Sequence, residues 1–399
     1  LSVNQESKTF LWHSVAPWIR SGYGHVTKQI LDRLVKLGFN PICSAYYGAE
    51  PGGIAPYAYP ILPAKEGPFG INSAAKFARQ FNVDYSILFT DWWAFSDFPK
   101  ALPRPILYGP MDMCGYSSEI LGFTKMYNKI ISLCKWQQDY LKSEGIESDM
   151  IYHGVDTSIF KPLNKEECRK KFNIPKDMFV IGSVAANSDK ESRKGGTYAI
   201  KAVKHFLDSN PDVKRDQITW MWHTISNDPR GMPLNSICHK FGLDDVIKFM
   251  DPSQADLMIP ETELVQLMNC FDVHLIPSRR EGFGLTILET EACGVPNISH
   301  DFSSMTELIK GHGWLCKSLG TGLNLETTPI NAESAVPEVY DLAKCIEEAY
   351  FKPDLRSQYG KESRKFSLQF NWDDIVTNQW VPLLNSLSSN KCVDDRRLL

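Results

Sequence analysis

The chain has 399 residues, 43% hydrophobic and 23% charged, the balance of a globular protein with room for two cores. Its net charge is −4 and acids match bases in the first 160 residues. That argues against nucleic acid as a partner and gives no support for docking on an anionic membrane, leaving only peripheral contact through a local basic patch. No apolar run reaches membrane-spanning length and no signal peptide is visible. Ten cysteines lie scattered without a Cys-x-x-Cys pair or a Cys/His cluster, which reads as free thiols of a reducing, cytoplasmic compartment.

Short apolar runs alternate with helical spacing along most of the length. Phe10–His13 is the first run and ends in a loop rich in Pro, Ser and Gly. Val26, Ile30, Leu34 and Leu37 then share one helix face, which Gly38 closes. Pro41–Tyr46, Tyr85–Phe89, Pro105–Tyr108 and Ile130–Leu133 follow as strands. The pattern restarts after Lys161-Pro162 with Phe179–Ala185, Thr219–His223, Val246–Met250, Val273–Pro277 and Pro296–Ser299. Two trains of β-α alternation predict an α/β protein with two parallel sheets, helices on both faces of each. The boundary is placed near 157–165, giving domains 1–160 and 161–370, with a closing helix and tail over 371–399.

The most informative stretch is Pro277-Ser278-Arg279-Arg280-Glu281-Gly282-Phe283-Gly284-Leu285-Thr286-Ile287-Leu288-Glu289. It follows a strand and enters a helix. Gly282 and Gly284 allow a tight turn and close approach of the backbone to a ligand. The helix start offers free N–H groups and the positive end of a dipole, which suits phosphate. Leu285, Leu288 and Ala292 form an apolar face that Glu289 borders, so its carboxylate needs a partner: ribose hydroxyls, or nearby backbone or an Arg.

Glu281 and Glu289 flank Gly-Phe-Gly with seven residues between them. Glu291-Ala292-Cys293-Gly294-Val295-Pro296 and Ser303-Ser304-Met305-Thr306-Glu307-Leu308 come after. This ordered set resembles the donor-binding signature of family 4 of the retaining GT-B glycosyltransferases. His153-Gly154-Val155-Asp156-Thr157-Ser158-Ile159-Phe160-Lys161-Pro162 resembles that family's interdomain crossover. Ser132-Leu133-Cys134-Lys135-Trp136-Gln137, Cys270-Phe271-Asp272-Val273 and Phe370-Asn371-Trp372-Asp373 are similar to further segments of it. The resemblance covers nearly the whole chain and is densest at 130–162 and 270–310.

The resemblance implies a GT-B architecture, two Rossmann-like domains facing across a cleft. The closing helix near Trp372 would cross back toward the N-terminal domain. It implies a nucleotide-sugar donor, UDP- or GDP-linked, on the C-terminal domain, and a glycan or glycoconjugate acceptor on the N-terminal one. Glu289 would meet the ribose and Glu281 the sugar hydroxyls. The backbone of Gly282, Phe283, Gly284 and Leu285 would touch sugar and phosphate, and His223 with Thr224 would line the base pocket. Taken alone, Gly22, Tyr23 and Gly24 read first as a plain turn with a helix cap, but they sit where the family's loop approaches donor or acceptor. The family's Lys-Gly appears as Lys194-Gly195, with Arg193 beside it. Its usual early Arg is replaced near Ala186-Asn187, so Asn187 and Arg193 become the candidates there. Its His-Asp pair is here Met111-Asp112, leaving Asp112 to orient sugar or acceptor, or to cap a helix. His13 ends the first strand, where it could face the cleft, and Trp92 and Trp93 read as core packing.

No Asp-x-Asp motif occurs, so neither metal nor cofactor is expected, and charge on the diphosphate falls to Arg193, Lys194 and a helix end. The expected activity is retaining sugar transfer by same-face displacement, because no second carboxylate is placed for a covalent intermediate. The alternatives are a non-catalytic nucleotide-sugar-binding protein, or an epimerase or phosphorylase on the same fold.

Overall fold

A strand buried on both faces needs apolar residues without alternation. β1 (Thr9–Val15) comes close to that demand: every residue after Thr9 is buried, and only His13 and Ser14 among them are polar. The computed structural model describes residues 9–53, 56–94, 99–250, 259–319 and 325–389. The chain divides into two compact units.

In the first unit β1 leads to α1 (Gly22–Lys36), β2 (Asn40–Tyr47), β3 (Ile61–Pro63), α2 (Ile71–Gln80), β4 (Ser86–Leu88), β5 (Pro105–Tyr108), α3 (Ser118–Gly122), β6 (Lys129–Ser132), α4 (Lys135–Ser143) and β7 (Asp149–Met150). All neighbours pair in parallel, in the order β3-β2-β1-β4-β5-β6-β7. α1 starts where Ser21 Oγ accepts the Gly24 N–H at 3.2 Å and carries Arg33 and Lys36 in its last turn, both favourable to its dipole.

The second unit runs through α5 (Lys165–Lys171), β8 (Phe179–Val184), α6 (Gly196–Ser209), β9 (Ile218–His223), α7 (Leu234–Lys240), β10 (Ile247–Met250), α8 (Glu261–Met268), β11 (Val273–Ile276), α9 (Leu285–Ala292), β12 (Asn297–His300), α10 (Ser304–Ile309) and β13 (Trp314–Cys316). An antiparallel hairpin, β14 (Leu325–Thr327) and β15 (Glu333–Ala335), precedes α11 (Val339–Phe351) and α12 (Pro353–Ser367). Its main sheet is parallel in the order β10-β9-β8-β11-β12-β13. This is the doubly wound order, which opens a crevice where it reverses, between β8 and β11. Trp220 and Trp222 stack at 4.6 Å within the core that β8, β9, α6 and α11 share.

α13 (Trp372–Ile375), a π-helical turn at Val376–Trp380 and α14 (Val381–Ser389) count with the first unit. There Trp380 packs on Trp12 and Tyr108 with ring centroids at 5.7 and 4.8 Å, and Arg33 pairs with Asp373 at 2.6 Å. The tail beyond Ser389, with Cys392, lies outside the described residues. The nine described cysteines are free.

The division between units falls at His153/Gly154, with Asp112–Gly115 counted in the second unit. Hydrogen bonds on either side explain this position. His153 belongs to the first unit, where its Nδ1 meets Tyr108 Oη at 2.7 Å, whereas Val155 N–H donates to Phe370 at 2.8 Å in the second. The charged, Pro-bearing stretch that reads as a linker is anchored instead: Leu163 N–H donates to Asn269 Oδ1 at 2.7 Å and Lys165 pairs with Asp272 at 2.7 Å. The short strands β3, β7 and β13 and the β14–β15 hairpin have two or three residues each, too few to show a period, and their positions follow from pairing partners.

A candidate donor site at the β8–β11 crevice

The loop after β8 and the loop after β11 are locked together at the crevice. Gly195 has φ +75°, and a Cβ there would meet the Pro277 carbonyl oxygen at 1.9 Å, so only glycine fits. Arg279 N–H donates to the Arg193 carbonyl at 2.8 Å and finishes the clasp. It sets Lys194 against Glu281, Nζ to Oε1, at 2.5 Å. Ser278 Oγ donates to the same carboxylate oxygen at 2.7 Å, and the Glu281 N–H donates to Ser303 Oγ at 3.1 Å. The Glu281 side chain is 7% exposed and that of Lys194 20%. Burial opposes charge on Glu281, but Lys194, Arg193 and Ser278 outweigh it and hold the carboxyl below its usual value. Burial lowers Lys194 in turn, against the opposing pull of Glu281.

Beyond Glu281 the chain turns through Gly282 and the buried Phe283 into α9. Gly284 caps that helix at φ 99° with no side-chain hydrogen bond, and the ladder begins only where Ile287 N–H reaches the Gly284 carbonyl at 3.0 Å. The N–H groups of Leu285 and Thr286 therefore stay open to a ligand. Leu285 is half-buried, while Ile287 through Ala292 are all buried, so the buried face is wider than the stripe predicted. Glu289 lies in it at 9% exposure, and no described residue gives its carboxylate a hydrogen bond. Burial, with Glu261 adding repulsion, pushes it up to about 8.

Asp112 joins this group from the segment counted with the second unit. Its Oδ2 stands 3.7 Å from Arg280 Nε, and Arg280 Nη1 reaches Glu191 Oε2 at 3.3 Å. Burial raises the Asp112 carboxyl, with Arg280 and Arg193 opposing. It is an arginine partner and caps no helix. Arg280 and Ser278 were not among the predicted residues; their only signal was position inside the Pro277–Glu289 run.

At the end of β9, His223 Nδ1 and Thr224 Oγ1 are buried atoms without a partner. Desolvation lowers His223, which keeps the ring neutral. Asn187 takes a different part from the donor contact expected of it. Its Nδ2 donates to the carbonyls of Ile225 and Met232 at 3.0 and 2.8 Å, and its Oδ1 accepts the Met232 N–H at 2.9 Å. The amide is spent on bracing the 225–232 loop.

Gly22, Tyr23 and Gly24 belong to the first unit. Gly24 is dictated by its own chain, since a Cβ would meet the Ile19 carbonyl oxygen at 2.0 Å. Tyr23 Oη donates to Asp91 at 2.7 Å. His13 is fully buried between Ser44 Oγ at 3.0 Å and the Phe69 carbonyl at 2.9 Å, and burial lowers it to about 4. It is a core histidine.

The segment that builds the crevice has relatives. Residues 194–322 match the family described as glycosyl transferases group 1. The chain is 23% identical over 252 residues to a D-inositol 3-phosphate glycosyltransferase of Acidothermus cellulolyticus, covering 61% of this chain and 49% of that one. It is 29% identical over 188 residues to the O-antigen biosynthesis glycosyltransferase WclY of Escherichia coli, 46% of each. It thus spans about half the length of these curated relatives. Among solved structures it superposes on sucrose-phosphate synthase from Thermosynechococcus elongatus with a TM-score of 0.75 at 16% identity, over 96% of this chain and 99% of that one. Anabaena HepE in complex with UDP-glucose gives 0.70 at 15%, over 96% and 99%. The fold is GT-B. No helix among the described residues is long and apolar enough to cross a membrane.

Proposed function

We propose that this chain is a retaining glycosyltransferase that takes a sugar from a UDP- or GDP-linked donor held on its second unit and passes it to a hydroxyl of a glycan or glycoconjugate. The observation that carries this reading is the gathering, at one crevice, of the Lys194–Glu281 pair, the uncapped start of α9 and the unpartnered carboxyl of Glu289. An anionic diphosphate fits the first two, and a ribose with hydrogen-bond donors fits the third.

In this reading Lys194, Arg193 and the open N–H groups of α9 neutralise the charge that grows on the leaving diphosphate. Glu281 accepts from the sugar hydroxyls while Lys194 keeps it ionised, and Asp112 with Arg280 orients the same sugar. His223 and Thr224 offer their unpartnered atoms to the base. Gly22 to Gly24 start the helix near which the acceptor would bind. The site's own cations make the proposed transfer independent of metal. The leaving diphosphate then takes the acceptor proton on the face it departs from. Free cysteines throughout the described residues support a reducing, cytoplasmic setting.

The test is a thermal-shift screen with UDP, GDP, ADP and their sugar conjugates, with and without Mg²⁺. A ligand at about 100 times its Kd adds about 2.7 kcal/mol of stability. A metal-independent shift with one nucleotide, lost in Glu289→Ala and Lys194→Ala, is the expected result. No shift with any of them would defeat the reading, and an inverted anomeric centre in the NMR spectrum of the product would defeat retention.

A further inference from the structure

We propose that the β14–β15 hairpin is a positioning device for Asp112, acting through a backbone bridge between Cys114 and Glu333. The inference rests on the donor-site reading above and assigns a part to a segment that reading does not use.

Asp112–Gly115 leaves the strand train after β5 and makes the hydrogen bonds of a strand. Cys114 N–H donates to the Glu333 carbonyl at 3.1 Å, and Glu333 N–H donates back to Cys114 at 2.7 Å. This reciprocal exchange is the hydrogen-bonded pair of an antiparallel ladder. It fixes both the height and the rotation of the segment. Met113 is buried, with its Sδ 3.5 Å from Thr328 Oγ1. Gly115 turns at φ +62° over the Glu333 side chain.

The hairpin is itself fastened to the donor loop. The Arg279 guanidinium, 5% exposed, pairs with Glu326 on β14 at 2.8 Å and donates to the Ala335 carbonyl on β15 at 3.3 Å. Leu319 N–H to the Val336 carbonyl at 2.9 Å holds its base. Three consecutive residues therefore serve three ends. Arg279 holds the hairpin, Arg280 faces Asp112, and Glu281 holds Lys194.

Asp112 needs such support. Arg280 Nε stands 3.7 Å from it, too far for a hydrogen bond, and Arg280 is shared with Glu191. Side-chain pairing alone leaves the carboxylate free to drift, and a drift of about 1 Å at a reacting centre costs roughly a hundredfold in rate. The bridge removes that freedom at the backbone, two residues away. Glu333 thus acts as a positioning residue through its main chain.

Two substitutions at one position separate the main chain from the side chain. Glu333→Pro deletes the N–H that Cys114 accepts; Glu333→Ala keeps it. The expected result is a kcat about tenfold lower in Glu333→Pro, equivalent to one hydrogen bond, and within about twofold of wild type in Glu333→Ala. Donor KM and the nucleotide-induced melting shift stay unchanged in both. Hydrogen exchange at the Cys114 amide quickens only in Glu333→Pro. Equal kcat in the two variants would overturn the proposal. So would loss of the nucleotide shift in Glu333→Pro, because the hairpin would then be general scaffold. A wild-type chain that binds nucleotide and transfers no sugar defeats the transferase reading instead, and the Cys114 exchange still decides whether the bridge holds the segment.

Discussion

Lys194→Ala tests the centre of the site. The ammonium sits 2.5 Å from a carboxylate that is 7% exposed, so its removal leaves Glu281 buried with Ser278 and the more distant Arg193 as support. Breaking a buried pair by removing one partner costs about 3–5 kcal/mol, and the residual support places this case near about 3. The pH dependence has a definite sign. In the wild type the Glu281 carboxyl is held below its usual value, so its contribution is present above about pH 4.3 and fades as pH falls through the folded value. Without Lys194, burial dominates and raises the carboxyl. The gap between the two proteins is then widest at neutral pH and closes as acid protonates Glu281 in both. Calorimetry from about pH 3 to 8, following the transition of the second unit, measures it. Lys194→Met with Glu281→Gln removes both charges and should recover most of the loss. If the double variant is no more stable at pH 7 than Lys194→Ala, the pair is not a buried ion pair that depends on its cation, and the reasoning fails.

Glu289 carries the opposite sign. Its carboxyl, pushed up to about 8, makes the folded chain hold a proton that the unfolded chain releases near pH 4.3, so stability declines from there to pH 8. Glu289→Gln should flatten that decline in nucleotide-free melts and weaken nucleotide binding; an unchanged slope would show that the carboxyl ionises freely. Asn187→Asp keeps the acceptor for Met232 but turns the donors to Ile225 and Met232 into an anion facing carbonyls. A loss of about 2–4 kcal/mol is expected, with faster hydrogen exchange over 225–232; a variant as stable as wild type would return Asn187 to the donor-contact role.

Much of this protein is written in residues that lie close together along the chain. The stretch Val273–Glu289 already specifies strand, tight turn and helix start, because apolar continuity, glycine and an uncapped helix act within a few positions. The same is true of α1, whose Ser21 cap, apolar face and closing Gly38 are all local. The order of the strands made two doubly wound sheets legible before any contact was known. Tertiary structure decided what each polar side chain does. Asn187 and Lys194 follow the same strand, yet one is consumed by the 225–232 loop and the other meets Glu281, 87 positions away. Gly24 is required by the Ile19 carbonyl, which a Cβ there would meet at 2.0 Å. Asp112 lies in a segment that pairs, through Cys114, with the backbone of Glu333, 219 positions along the chain. Propensity and periodicity are properties of neighbours in sequence, whereas burial, pairing and the resulting charge state depend on which distant segments the fold brings within about 3–4 Å.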